Sequence, residues 1–289
     1  LSKALPLALQ HVVAMIVGCV TPAIIVAGVA ELEGTNRVML IQSALVVSAL
    51  STFLQLFPIG SKKGFRLGAG LPVIMGTSFA YVASMQAIAA DVGIAAIFGA
   101  QIIGGIIAMI IGFFIDKIRK VFPPLVTGTV VFTIGLSLYP TAVNYMAGGA
   151  SSANYGHWTN WLVAIITLAI VTFLNHFTKG FVKLASILIG IICGYIIAAC
   201  FGMVDLTAVA QASVFQMPQI MHFGIQFDPS SCIAIGLLFA INAIQAIGDF
   251  TATTTGGMDR EPTDKELKGA IVGYGCTNII GAFLGGLPT

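Results

Sequence analysis

Charge is what this sequence lacks most. Only 8% of its 289 residues are Asp, Glu, Lys or Arg, against about 25% in an ordinary soluble domain. With a net charge of +2, no basic face exists to grip phosphates, which excludes nucleic acid as a partner. Two tryptophans and five cysteines (Cys19, Cys193, Cys200, Cys232, Cys276) give no disulfide framework. The thiols all fall in apolar runs, where they read as packing residues. No GxxxxGK[ST], HExxH, CxxC or GxSxG pattern occurs. ATP hydrolysis, zinc chemistry and acyl transfer therefore have no sequence support, and neither enzyme, metal site nor cofactor is expected.

What the sequence has is apolar length. Hydrophobic residues make up 57% of the chain, more than a single core of this size can hide. Residues 4–30, 38–61, 67–90, 92–115, 184–204 and 269–289 carry no charge, and each is long enough to cross a bilayer as a helix. The run 121–178 holds two further spans separated by a polar stretch at 148–158, and another lies at about 229–255. An all-α polytopic membrane protein with nine segments follows. No removable signal peptide is expected. With the N-terminus in the cytoplasm, 12 of the 13 basic residues fall in inner loops and only Arg37 lies outside, which fixes the orientation. Residues 205–227, with Gln211, Gln216, Gln219, His222 and Pro218, read as an external loop or amphipathic segment.

The third segment is the irregular one. Glycines and Pro72 interrupt it between Gly68 and Gly76, and both residue types break helices. Either it is a kinked helix, or an extended stretch at 71–76 precedes a half-helix from about Ser78. The second form is the sequence mark of a transporter site. A half-helix start would aim its amide groups, including those of Phe79 and Ala80, at a carbonyl oxygen or an anion. Phe79 could stack a planar ligand or simply pack.

Polar residues within the other spans are costly in lipid and mark candidate sites. Asn242, Gln245 and Asp249 recur at helical spacing in the eighth segment, as a polar cavity wall or as an interhelical hydrogen-bond cluster. Gln10 and His11 open the first segment. His11 could serve function or merely bond a neighbouring helix. The pairs Gly190/Gly194 and Gly281/Gly285 have the spacing that lets helices approach closely.

Four motifs, in order, carry a resemblance across essentially the whole chain: Gln10-His11, Gly76-Thr77-Ser78-Phe79-Ala80, Gly248-Asp249 and Arg260-Glu261-Pro262-Thr263. Together they resemble the nucleobase–ascorbate transporter family (nucleobase:cation symporter-2), which includes xanthine and uracil permeases. The resemblance implies two inverted seven-segment repeats with core and gate domains, of which nine segments are present. Residues 1–116 would form core segments one to four, 117–204 gate segments five to seven, and 228–289 segments eight and nine of the second core half. The chain ends where a tenth segment should begin. The implied function is secondary active symport of a purine or related nucleobase, such as xanthine or uric acid, across the inner (plasma) membrane. A coupling cation, H+ or Na+, surrounding lipid and a homodimer are the implied partners. Ser78, Phe79, Ala80 and Gln245 would contact substrate; His11, Gln10, Asp249 and Tyr274 would form a second shell or couple the cation.

Two positions depart from that family pattern. Gln245 stands where many members have Glu, and Tyr274 where many have Asp. An amide accepts and donates, whereas a carboxylate only accepts, so the substrate pattern and the proton path are both altered. A sulfate- or bicarbonate-type anion carrier of related fold, and a non-transporting paralogue, are the alternative readings.

Overall fold

The computed structural model describes residues 4–60, 66–118, 124–149, 152, 154–204 and 219–289. They are mostly helical. In chain order come α1 (Ala4–Val29), α2 (Gly34–Leu56), β1 (Ile59–Gly60) and β2 (Arg66–Leu67). A 3-10 turn (Phe79–Tyr81) leads into α3 (Val82–Asp91), α4 (Ile94–Phe113) and α5 (Ile115–Ile118). After these lie α6 (Pro124–Ser137), α7 (Tyr139–Met146), α8 (Trp158–Phe177), α9 (Phe181–Leu184) and α10 (Ser186–Cys200). The last two are α11 (Pro229–Met258) and α12 (Asp264–Phe283). Among the described residues, four helices, α2, α4, α8 and α11, are long and apolar enough to cross a membrane.

Most segments lie where the apolar runs put them. Two differ. The fifth is broken into α6 and α7 at Leu138, because Pro140, in the first turn of α7, has no N–H to continue the ladder. The ninth starts upstream of its apolar run, at Asp264. Thr263 accepts the Glu266 amide while the Glu266 carboxylate takes the Thr263 N–H, a reciprocal cap that starts the helix in charged sequence. Arg260 grips that same carboxylate at 2.7 and 2.9 Å, which gives the Arg260–Thr263 motif a structural role. This charged turn precedes the apolar part of α12, and Arg260 with the Thr263 hydrogen bonds holds the Glu266 carboxyl down at about 2. The eighth segment starts just as plainly. Asp228 caps α11 by accepting the Ser231 amide at 2.8 Å, and the Ser230 and Ser231 hydroxyls pull its carboxyl below the usual range.

The chain divides into two compact units, Leu1–Gly18 with Ser137–Gln216, and Cys19–Leu136 with Met217–Thr289. In the first, α8 packs on α10 through the small residues predicted to allow it. A Cβ on Gly190 would come within 2.1 Å of the Val171 side chain, and one on Gly194 within 2.5 Å of Thr167 Oγ1. In this unit Asn160 donates to the Ala147 and Asn154 carbonyls at 2.9 and 2.7 Å.

In the second unit, α4 packs against both α11 and α12. Glycine makes that possible, since a Cβ on Gly104 would meet the Phe239 ring at 2.2 Å, and one on Gly275 the Gly105 carbonyl oxygen at 2.5 Å. Gly281 approaches Val47 of α2 in the same way. Lys3, Lys62, Lys63, Arg119 and Lys120, expected in inner loops, and the stretch 205–218 with Gln211, Gln216 and Pro218, lie outside the described residues.

Candidate functional site

The third segment takes the interrupted form. From Gly68 to Ser78 the backbone has no regular helix, and the helical start comes at Phe79, one residue after the position expected. The last two turns of α2 hold this stretch. Gln55 accepts the Ala69 amide on its side chain at 2.9 Å and the Gly70 amide on its backbone at 2.7 Å. The Gln55 amide group donates onward to the Ala270 carbonyl of α12 at 3.0 Å. Thr52 accepts the Met75 amide at 3.0 Å. Gly68 N–H donates to the Gly269 carbonyl at 2.8 Å, a contact only possible because a Cβ on Gly269 would sit 2.4 Å from the Gly68 oxygen. A buried non-helical segment is tolerable only with its backbone groups paired in this manner.

At its far end the segment meets the final residues of the chain. Ser78 N–H donates to the Pro288 carbonyl at 3.0 Å. Buried Asn278 holds that tail, accepting the Thr289 amide at 3.0 Å and donating to Thr289 Oγ1 at 3.1 Å. Gln101 of α4 in turn donates to the Asn278 carbonyl at 3.0 Å. Two irregular stretches are thus joined beside the start of a helix.

Around that start lie most of the residues singled out from sequence. Ser78, Phe79 and Ala80 are half-buried. The Ala80 amide is not unengaged, as a bare half-helix start would leave it: it donates to Ser78 Oγ at 3.3 Å. Ser78 Oγ also reaches Asn242 Oδ1 of α11 at 3.5 Å. Asn242 donates to the Tyr274 hydroxyl at 3.0 Å, and the Tyr274 hydroxyl bonds that of Tyr81. One turn along α11, the Gln245 carbonyl oxygen is buried with no hydrogen-bond partner, as is Thr77 Oγ1. Asp249 is exposed, one turn further along the same helix.

The polar stripe of the eighth segment therefore serves two ends. Asn242 is an interhelical hydrogen-bonding residue, whereas Gln245 and Asp249 keep capacity to spare. Tyr274 joins the same cluster. His11 is exposed on α1 and belongs, with Gln10, to the other compact unit. Among the described residues, no group of three or more His, Cys, Asp or Glu could hold a metal.

The sequence reading named Thr77 only within its motif, and missed Tyr81, Gln101 and Asn278. Of these, Thr77 and Tyr81 adjoin the glycine- and proline-broken stretch, which was a usable signal. Gln101 and Asn278 were uncharged amides in apolar helices and needed their partner to stand out.

The Permease family profile matches residues 2–289. The chain belongs to that family. Its relatives include the xanthine permease of Bacillus subtilis, 37% identical over 86% of this chain and 56% of the relative. The uric acid permease PucJ of Bacillus subtilis is 35% identical, over 99% and 64%. The nucleobase transporter PlUacP of Paenibacillus larvae is 33% identical, over 99% and 65%. The chain spans about three-fifths of the length of such curated relatives.

Proposed function

We propose that this chain is the larger part of a secondary transporter that carries a purine or related nucleobase, such as xanthine or uric acid, across the inner (plasma) membrane. The observation that carries it is the buried side-chain amide oxygen of Gln245, left without a hydrogen-bond partner, in a chain of the Permease family. A buried acceptor without a donor is costly, and a planar base with ring N–H groups supplies one. Relatives named for xanthine, uric acid and nucleobases favour this over an anion carrier.

In this reading the base lies against Phe79, which stacks on it. Ser78 and the Ala80 amide meet its carbonyl oxygens, and Gln245 reads an N–H/C=O edge. Asp249 couples entry to H+ or Na+, while Tyr274, His11 and Gln10 have supporting roles without touching the base. Residues 1–116 and 228–289 belong to a core domain and 117–204 to a gate domain of two inverted seven-segment repeats. Residues 205–227 form an external connection. The N-terminus is cytoplasmic, lipid surrounds the segments, and the protein pairs as a homodimer. Transport is movement of core against gate about a site near the bilayer midplane.

The test is uptake of labelled xanthine, uric acid and uracil by the full-length protein in cells lacking their own base permeases, with and without a proton uncoupler. Saturable uptake of one base is expected. Gln245→Ala should lower its apparent affinity about tenfold or more, or re-rank the bases. Unchanged uptake and ranking would remove Gln245 from the site.

A further inference from the structure

Ser78 and Tyr81 flank Phe79 and Ala80, three residues apart and so on one side of the helical start. Both reach the same anchor. Asn242 of α11 is bonded at each end of its amide: Oδ1 to the Ser78 hydroxyl at 3.5 Å, Nδ2–H to the Tyr274 oxygen at 3.0 Å. The Tyr274 hydroxyl closes the circuit onto Tyr81. Tyr81 and Tyr274 are both buried, and the Phe239 ring lies 4.9 and 5.6 Å from theirs, centroid to centroid.

The circuit is uneven. The tyrosine pair and its Asn242 bond are close, whereas Ser78 is held weakly on both sides, at 3.5 Å by Asn242 and at 3.3 Å by the Ala80 amide. Hydrogen bonds at such lengths are near the limit of useful strength. The Tyr81 end of the turn is therefore fixed to α11 and α12, while one turn earlier the Ser78 hydroxyl and the Ala80 N–H can exchange each other for a ligand.

We propose that Tyr81, Tyr274 and Asn242 are positioning residues: their buried hydrogen-bond circuit fixes the helical start so that Ser78 and Ala80 are presented to the substrate in one orientation. This inference rests on the nucleobase-transport reading. None of the three need touch the base. They act through the turn they anchor, and through Asn242 on the direction of the Ser78 proton. While Asn242 Oδ1 accepts that proton, the Ser78 lone pairs face the Ala80 amide.

The experiment uses the full-length protein with the conservative changes Tyr81→Phe and Tyr274→Phe, which keep the rings packed on Phe239, together with their double variant. KM and kcat are measured for the transported base and for analogues lacking single carbonyl or N–H groups. Folded protein is quantified by size exclusion. Each single change is expected to raise KM about tenfold with kcat nearly unchanged. It should also compress the discrimination between the base and analogues lacking a carbonyl. Because the Tyr81–Tyr274 bond is lost in both, and Tyr274→Phe also leaves the Asn242 donor without its acceptor, the double variant should be little worse than Tyr274→Phe alone. If one variant fails to accumulate, the other decides. Unchanged KM and analogue ranking in a folded Phe variant would overturn the inference while leaving nucleobase transport intact, as would fully additive losses. Absence of uptake by well-folded wild-type protein would overturn both.

Discussion

Half of the apolar stretch of α4 is buried, against 6% of that of α8, although the two helices have equal length and both are apolar enough to cross a membrane. The difference lies in what each presents. α4 offers Gly99, Gly104, Gly105 and Gly112, and neighbours come down onto its backbone. α8 offers branched and aromatic side chains, and α10, its main neighbour among the described residues, supplies the glycines. Among lipid chains, burial of apolar groups gives helices little reason to associate, so close backbone approach and polar bonds decide which ones pack.

The largest effect should come from testing those approaches against each other. A Cβ on Gly275 meets a backbone oxygen, Gly105 O, at 2.5 Å, whereas a Cβ on Gly190 meets only a Val171 methyl, at 2.1 Å. Gly275→Ala should cost about 3 kcal/mol or more, because the helices must separate, and trimming side chains should not restore it. Gly190→Ala should cost about 1–3 kcal/mol and be largely rescued by Val171→Ala. Thermal unfolding in detergent reads both. If Val171→Ala fails to rescue, the α8–α10 contact is as rigid as the α4–α12 one and the contrast collapses.

Much of this was legible in sequence. Gly68, Gly70, Pro72 and Gly76 announced the interrupted segment, because glycine and proline act locally on the backbone whatever surrounds them. Asn242, Gln245 and Asp249 stood out because polar groups are conspicuous at lipid depth. Which of them would be spent on packing was not legible. Asn242 is bonded to Tyr274, 32 residues further on, and Tyr274 stood out in the sequence as a replacement for the family's Asp, not as a partner for Asn242. The start of α12 was misread for a similar reason. Arg260, Lys265 and Lys268 were placed in an inner loop, whereas Thr263 and Glu266 cap the helix and Arg260 pairs with Glu266.

That cap gives an effect of middle size and sharpens the contrast, since it works in the polar margin and not by close packing. Glu266 is held at about 2, against 4.5 ordinarily. A carboxyl depressed in the folded state stabilises above its unfolded pKa and loses that contribution as pH falls through the folded one. The contribution should be intact above pH 4.5 and fade between about 4.5 and 2. Because the pair is partly open to solvent, its worth is about 1 kcal/mol. Glu266→Gln should lower the unfolding temperature at pH 7 and flatten the acid limb, whereas a variant that tracks wild type down to pH 3 would show the cap to be ornamental.

The smallest effect is expected on the open face of α8, where Ile165, Ile166, Ala169, Ile170, Phe173 and Leu174 line a hollow of about 400 Å³. Phe173 is 59% exposed, whereas Phe239 is fully buried between Tyr81 and Tyr274. Phe→Leu removes similar atoms at both places, so the two substitutions differ only in what surrounds the ring. At Phe239 the loss leaves a gap among fixed neighbours, and a cost of about 1–3 kcal/mol follows. At Phe173 lipid chains or detergent close around the smaller side chain, and the change should stay within about 0.5 kcal/mol. Unfolding measured in the same detergent compares the pair directly. A Phe173→Leu cost equal to that of Phe239→Leu would mean that the α8 face is packed against protein in the full-length molecule, and its low burial would then describe this stretch of chain alone.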